Sequence, residues 1–264
     1  MSDALECANC GRAIDGAVQK FCPACGQATP VHRIDWHFLA HELEHSVLHM
    51  DRGILYSLRE LMLRPGRLMR DYLEGRRARQ AKPLLLLMVM AAAVVLASKY
   101  LVGEGVMDSI PDAAAAAAAQ GDAAAPDIQV AMKASKAVAD WMSRHFAAIT
   151  LLLLPIEAAA FRLAFHRVGG LNYPEWLVIT AFLTVQTFVF WTLLTLLHRW
   201  IPQPQLWAAG LAVLYGIVSL AEFFRGYPRW KSILRAVLGF AIVFVINALL
   251  TPMLVLAVAI SMHG

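Results

Sequence analysis

Five long apolar stretches in the second part of the chain constrain its fold more than any other feature. A helix needs about 20 residues to cross a hydrocarbon layer about 30 Å thick. Stretches of that length run over residues 83–102, 146–165, 175–197, 206–224 and 233–260. The 264 residues are 59% hydrophobic and 16% charged, whereas soluble domains are about 45–50% apolar and about 25% charged. We therefore predict an all-α membrane protein built on a five-helix transmembrane bundle.

A run of basic residues precedes the first apolar stretch. Between Arg64 and Pro83, seven basic side chains stand against the acidic Asp71 and Glu74. The basic residues are Arg64, Arg67, Arg70, Arg76, Arg77, Arg79 and Lys82. Positive charge beside a membrane span favours the cytoplasmic side. We therefore predict a multi-pass protein of a bacterial inner membrane, with its N-terminus in the cytoplasm and its C-terminus in the periplasm.

The segments that connect the apolar stretches agree with that orientation. The predicted inner connections, 166–174 and 225–232, carry basic residues, whereas the predicted outer loop at 103–145 carries six acidic residues against three basic ones. This gives three regions. They are a cytoplasmic zinc ribbon at 1–30, amphipathic helices with a basic elbow at 31–82, and the bundle at 83–264, which includes the alanine-rich outer loop.

The four cysteines of the chain form two CxxC pairs with the spacing C-x2-C-x11-C-x2-C. They are Cys7, Cys10, Cys22 and Cys25. Two such pairs can place four thiolates at tetrahedral positions around one Zn²⁺. The alternative is two disulfides, which rarely persist in a reducing cytoplasm. We predict a structural zinc ion, and its four thiolates would leave no open coordination position for catalysis.

Residues 34–50 have the pattern of an amphipathic helix with Asp35 as its N-cap. Histidines recur every four residues on one face of this helix, at His37, His41, His45 and His49. The segment from His41 to His45 also fits HExxH, which in zinc proteases provides two ligands and a general base. Three interpretations are open: a solvated or headgroup-facing surface, a secondary metal site, and a metalloprotease site. The surface interpretation is favoured because the histidines form the polar side of the helix, and because a protease site needs a third ligand that the sequence does not indicate.

The basic elbow, residues 57–83, alternates arginines with apolar side chains, which is the composition of a helix in the headgroup plane. Ser57 and Glu60 fit a capping box that would open a helix. Pro65 is predicted to restart the helix and Gly75 to end it. Contacts with anionic lipid headgroups are predicted for Arg64, Arg67, Arg70, Arg76 and Arg77. The alternative is that these arginines serve only to fix the topology.

Four polar side chains fall near the middle of separate spans. They are Glu157, Gln186, Tyr215 and Asn247. At similar depth they could meet inside the bundle. Polar groups in a span stabilise helix packing through hydrogen bonds or mark a path for protons, ions or substrate. For Glu157, Gln186 and Asn247 we favour packing and leave the path as the alternative.

The basic elbow also resembles a known family. The segments Arg59–Arg67 (RELMLRPGR) and Arg70–Arg77 (RDYLEGRR) are similar to the signature of the domain of unknown function 3667. Leu154-Pro155 and Tyr173-Pro174-Glu175 resemble further elements of that family. The resemblance implies an N-terminal zinc ribbon before the motif and several membrane spans after it. It implies no activity.

Together these features favour a non-enzymatic scaffold or adaptor, and no catalytic residue is predicted. Expected partners are membrane lipids, a cytosolic protein and further copies of the chain. Nucleic acid is not expected, because the basic residues lie beside membrane spans, where anionic lipids are the nearer partner. One alternative is a small transporter or lipid-handling protein that uses the polar residues of the spans. The other, less favoured, is a membrane metalloprotease that uses the HExxH segment.

Overall fold

The computed structural model of the protein describes residues 5–15, 19–40, 53–103, 105–107, 126–201 and 204–263. Its named helices are α1 (Ile54–Leu63), α2 (Pro65–Leu73), α3 (Pro83–Ala97), α4 (Pro126–Arg144), α5 (Phe146–Ala164), α6 (Tyr173–Leu196), α7 (Pro204–Phe223) and α8 (Arg229–His263). A π-helical turn, Ser98–Val102, continues α3. Residues 36–40 are also helical. The all-α class predicted from the sequence is confirmed.

Five of these helices are long and apolar enough to cross a membrane. They are α3 with its π-helical turn, α5, α6, α7 and α8. The predicted number of spans is therefore confirmed, and the protein is an integral membrane protein. Large apolar side chains such as Leu152, Phe244 and Leu256 remain exposed on the outside of the bundle. Lipid chains would cover these side chains, which in water would form an aggregation-prone patch.

Helix α6 lies at the centre of the bundle, in contact with α3, α5 and α7. Its sequence is apolar all round, as expected of a helix that is surrounded on every side. Phe182 and Ile179 are fully buried in its middle, and Trp176 is buried near its start. Helix α8 packs on the outside, against α4, α5 and α7. Helix α6 is therefore the central helix of the bundle, and the candidate sites described below lie around it.

Two of the connections between spanning helices, α5–α6 and α7–α8, lie at the same end of the bundle. Residues near the N-terminus reach the α5–α6 connection, because Arg33 Nη2 donates to Gly170 O at 2.7 Å. The end of α7 lies on the same side, because the rings of Phe165 and Phe224 stack with their centroids 4.7 Å apart. We call this end of the bundle the module face, after the cysteine-containing module at residues 5–30, which precedes Arg33 in the chain. The connections at 165–172 and 224–228 therefore share one end of the bundle, in the relative arrangement that the sequence predicts.

Helices α1 and α2 differ in part from the prediction. Pro65 occupies the first turn of α2 as expected, and Gly75, with φ +91°, follows its end. The capping box at Ser57 is wrong, however, because α1 begins at Ile54 and Ser57 lies inside the helix. The buried Ser57 hydroxyl instead accepts a hydrogen bond from Ala81 N at 2.7 Å. The hydroxyl thus binds a backbone N–H just before α3 that would be costly to leave buried and unpaired.

The C-terminal end of α1 enters the bundle. The last carbonyl groups of a helix have no partner within it, and two of them are bound here by side chains of spanning helices. Tyr215 Oη donates to Met62 O at 2.7 Å, and Gln186 Nε2 donates to Leu61 O at 3.4 Å. Both donors lie near the middle of their helices. The bend between α1 and α2 is therefore surrounded by protein and is not confined to the surface.

Candidate functional site

Two short hairpins at the N-terminus carry the cysteines. Strand β1 (Leu5–Glu6) pairs antiparallel with β2 (Ala13–Ile14), with Leu5 opposite Ile14, and an isolated bridge joins Phe21 to Ala28. Each hairpin closes through a glycine N–H that donates to a cysteine carbonyl, Gly11 to Cys7 and Gly26 to Cys22, both at 2.8 Å. The two glycines have φ +72° and +74°, a conformation that glycine adopts without strain. We call residues 5–30 the cysteine module.

The module brings the four predicted ligands together. Cys7 Sγ lies 3.6 Å from Cys25 Sγ, and Cys10 Sγ lies 3.6 Å from Cys22 Sγ. All four sulfur atoms lie within 4.8 Å of one another. Tetrahedral zinc with Zn–S bonds of about 2.3 Å would place its sulfurs about 3.8 Å apart, whereas a disulfide requires about 2.0 Å. The cysteines are free, and their geometry suits a metal ion.

The backbone around Cys22 favours the metal-binding form of the thiol. The N–H of Ala24, with a further contribution from that of Cys25, lowers the pKa of the Cys22 thiol to about 6. At Cys10 the N–H of Arg12 also lowers the pKa of the thiol, but desolvation and the neighbouring sulfurs outweigh it and raise the pKa of Cys10 to about 12. Donors directed at a sulfur stabilise the thiolate, which is the form that ligates metals. The site is therefore a candidate metal centre with four sulfur ligands.

The chain that follows the module is fixed to the bundle by a buried carboxylate. Glu175 is 5% exposed and binds Arg33 through two hydrogen bonds, Nε to Oε1 at 2.6 Å and Nη2 to Oε2 at 2.7 Å. The same carboxylate accepts from Asn172 N and closes a capping box at the start of α6. Asn172 Nδ2 also donates to Ile34 O at 2.8 Å. The bonds made by Arg33 and Ile34 join residues about 140 positions apart, and sequence reasoning missed them.

We expect the Arg33–Glu175 pair to hold the segment at 31–40 against the bundle. A double-mutant cycle with Arg33→Ala and Glu175→Gln should give a coupling energy of about 1 kcal/mol, since the Arg33 side chain remains largely exposed and is screened by solvent. The measurement is the rate of chymotrypsin cleavage at Trp36 and Phe38, which should rise about fivefold in Arg33→Ala. Arg12→Ala, at an exposed arginine of the module, is the matched control. Purely additive effects of the two substitutions would contradict the prediction.

The structure divides the five arginines predicted to contact headgroups. Arg70 points into the protein, where it donates to the carbonyls of Glu222 and Phe223 at the end of α7. Burial, which desolvates the guanidinium, lowers the pKa of Arg70. The positive charge also suits the negative end of the α7 dipole. Arg70 therefore joins α2 to α7.

The other four arginines have different surroundings. Arg76 pairs with Asp71 at 2.5 Å and with Glu74. Arg67 lies 3.6 Å from Asp71, and Arg64 is exposed. Arg77 stacks 4.5 Å above the ring of Phe38 and donates to Tyr72 O. Of the five, Arg77 alone lines the cavity described next.

A cavity of about 1040 Å³ separates the cysteine module from the basic elbow. We call it the basic cavity, because Arg77, Arg79, Lys82 and His32 line it. Aromatic residues, among them Phe21 and Tyr56, form other parts of its wall, and the described lining residues include no Asp or Glu. Arg79 and Lys82 were not among the predicted headgroup contacts. The signal for them was their position at the end of the basic run, directly before α3.

The polar residues of the spans fall into two separate groups. Gln186 is fully buried and donates to Ser219 Oγ at 3.0 Å, so it joins α6, α7 and the end of α1, where Tyr215 also lies. Glu157 and Asn247 line a different cavity between the spanning helices. The structure thus does not bring all four side chains together.

The predicted histidine face is described only at its beginning. Phe38 N donates to Asp35 Oδ1 at 2.8 Å, which confirms the predicted N-cap. His37 is exposed. His41, His45 and His49 lie outside the described residues, and so does the HExxH segment.

Comparison with known proteins gives one family match. Residues 51–95 match the model of a family described as a protein of unknown function (DUF3667). The resemblance noted in the sequence is thereby confirmed over the segment that contains α1, α2 and most of α3. No curated protein and no solved structure matches the chain.

Proposed function

We propose that this membrane protein is a non-enzymatic adaptor that binds an anionic phospholipid headgroup in the basic cavity, at the cytoplasmic face of a bacterial inner membrane. The observation that carries the proposal is the charge of that cavity. Arg77, Arg79 and Lys82 line it, and no acidic residue is among its described lining residues. Within the described part of the chain, neither Arg79 nor Lys82 makes a salt bridge.

The position of the basic cavity supports a lipid as its occupant. Lys82 immediately precedes Pro83, where the first spanning helix begins. A residue at that boundary lies at the level of lipid headgroups. Each Lys or Arg near an anionic membrane surface contributes about 1 kcal/mol to its attraction. Tyr56 and Phe21 add apolar area suited to the glycerol backbone and the first carbons of the acyl chains.

In this proposal the four cysteines hold a structural zinc ion that shapes one wall of the cavity. Gln27 follows the second CxxC pair, and its Oε1 accepts a hydrogen bond from Arg77 N at 3.0 Å. Gln27, Gly26 and Phe21 all line the cavity. The metal would therefore fix residues that contact the lipid, while its closed set of four ligands leaves it no catalytic role.

The proposed orientation rests on the charge of the module face. Arg167 and Arg225 lie in the two connections on this face, and Arg229 begins α8 beside them. Arg235 Nη1 donates to Ala164 O at 2.8 Å, which places it at the same end. Basic residues concentrate on the cytoplasmic side of membrane proteins. We therefore place the N-terminus in the cytoplasm and the C-terminus in the periplasm.

Removing the two cations that make no salt bridge within the described residues tests the proposal. We expect Arg79→Gln/Lys82→Gln to weaken binding of dioctanoyl-phosphatidylglycerol about 30-fold, because two charges at about 1 kcal/mol each are lost. Isothermal titration of the purified full chain in neutral detergent measures the affinity. Dioctanoyl-phosphatidylcholine provides the comparison without net charge.

The matched control is Lys133→Gln/Lys136→Gln, which removes two exposed charges from α4. It should leave the affinity for phosphatidylglycerol unchanged. Equal affinity of the wild type for the two lipids, or full affinity in Arg79→Gln/Lys82→Gln, would refute lipid binding. Either result would favour the alternative, in which this surface docks a cytosolic protein.

A further inference from the structure

A second cavity lies inside the spanning part of the bundle, separate from the basic cavity. It has a volume of about 510 Å³, is lined mainly by α5, α6, α7 and α8, and is only partly enclosed. That volume is within the range of sites for small organic ligands. Its polar lining includes Glu157, Asn247, Thr150, Thr184, Thr187 and Thr251. We call it the membrane cavity.

Two buried polar atoms of the membrane cavity have no hydrogen-bond partner within the described residues. They are Thr180 Oγ1 and Trp191 Nε1. Thr180 is 1% exposed, and both residues line the cavity. Buried polar groups in proteins are normally paired with protein, water or ligand. These two atoms are therefore available to bind water or a guest in the cavity.

The charge of the membrane cavity determines which guests it favours. Among the described lining residues Glu157 is the single acidic one, and none is basic. Its one interaction partner seen here is the hydroxyl of Thr184, and no described cation forms a salt bridge with it. A carboxylate in a membrane span is costly unless it takes up a proton or is compensated by water or by a positive charge. A cationic guest would supply that charge.

Aromatic rings form much of the remaining wall. Phe161 and Phe240 meet edge to face with their centroids 5.0 Å apart, and Phe146 contacts both Phe188 and Trp191. The faces of such rings attract organic cations. They also provide apolar area that a strongly hydrated metal ion would not use.

We infer that the membrane cavity binds a lipophilic organic monocation, such as an aryl phosphonium or alkyl ammonium compound. An anion would be repelled by Glu157. A small hard cation requires six or more oxygens at about 2.0–2.6 Å in one shell, whereas the oxygens here are spread over the wall of a cavity that holds a drug-sized molecule. A neutral acyl chain would match the apolar wall but would leave Glu157 to be neutralised by a proton, without using its charge. The inference is independent of the proposed lipid site, since the two cavities share no lining residue.

The test uses tetraphenylphosphonium, a permanent cation, and tetraphenylborate, an anion of the same shape. Binding to the full chain in neutral detergent is measured by isothermal titration, with the heat of binding to empty micelles subtracted. The Arg79→Gln/Lys82→Gln background removes two of the cations that would attract the borate to the basic cavity. We expect the phosphonium to bind about tenfold or more tightly than the borate in this background. Equal affinities, or tighter binding of the borate, would overturn the inference. This comparison requires no substitution inside the bundle.

Glu157→Gln then identifies the charge responsible. We expect it to weaken phosphonium binding about tenfold or more, while neutral triphenylphosphine oxide binds the variant and the wild type equally. Asp140→Asn, at an exposed acid of α4, is the control that removes a charge elsewhere and should bind like the wild type. A folded Glu157→Gln protein with wild-type affinity for the phosphonium would also overturn the inference.

Discussion

Replacing Cys22 with serine is expected to remove the bound metal and unfold the cysteine module while the five-helix bundle stays folded. The module has almost no core of its own, because its buried cluster consists of Cys7, Ile14 and Cys22 with Cys25 packed against it. Structural zinc contributes an apparent binding free energy of about 10–16 kcal/mol to small modules, and nearly all of it is folding free energy. The bundle has a separate and much larger core centred on α6.

Metal analysis and limited proteolysis check this prediction together. Purified wild-type protein should contain one zinc ion per chain, and Cys22→Ser should contain almost none. Residues 5–30 should then become sensitive to protease, with the helical circular dichroism nearly unchanged. Ala24→Ser introduces the same residue into the same turn, at an exposed position that offers no ligand, and should keep its zinc. A full zinc content in Cys22→Ser would show that Cys22 is not a required ligand of the metal.

The same variant also tests whether the module shapes the lipid site. Phe21, Gly26 and Gln27 line the basic cavity and belong to the hairpin that the metal would hold. Loss of zinc should therefore weaken lipid binding even though Arg79 and Lys82 are unchanged. If lipid affinity survives the loss of zinc, the basic elbow alone forms the lipid site.

The spans could be predicted because length and apolar composition determine them. The largest difference in a predicted start is four residues, for α8, expected at Ile233 and found at Arg229. The cysteine cluster could also be predicted, since the CxxC spacing determines where four sulfurs can meet. Both are local properties, and each can be recognised within about 30 residues of sequence.

The contacts that fix α1, α2 and the module to the bundle could not be predicted, because they join distant parts of the chain. Glu175 carries no local sign that Arg33 is its partner. Gln186 and Tyr215 were expected near Glu157, yet they bind the free carbonyls at the end of α1. The last carbonyls of a helix need hydrogen-bond donors when they are buried. A single sequence does not show which side chains will lie beside them. The polar residues of a span therefore indicate depth better than they indicate partners.

The arginine-proline-glycine motif of the basic elbow illustrates how such a contact depends on one residue. Gly66 lies directly against α7, and a Cβ atom placed there would come within 2.6 Å of the backbone of Glu222 and Phe223. Gly66 N also faces the Glu222 carboxylate, at 3.3 Å from Oε2. Pro65 starts α2 at this point, and Arg70, one turn further on, caps the end of α7. Gly66 thus permits the close approach of α2 to α7, Pro65 starts α2 at that point, and Arg70 binds the carbonyls at the end of α7.

Gly66→Val is expected to lower the free energy of unfolding of the bundle by about 3 kcal/mol, because the obstructing atoms belong to the backbone of α7 and cannot rotate away. Thermal unfolding in detergent, followed by circular dichroism, measures the loss. Gly210→Val is the matched control, since it makes the same change within α7 at a glycine with open space around its Cβ position. It should change the free energy of unfolding by about 0.5 kcal/mol or less, because valine is only a slightly better helix former than glycine. If the two variants unfold at the same temperature, α2 is not packed against α7 at Gly66, and the motif must serve some purpose other than this close approach.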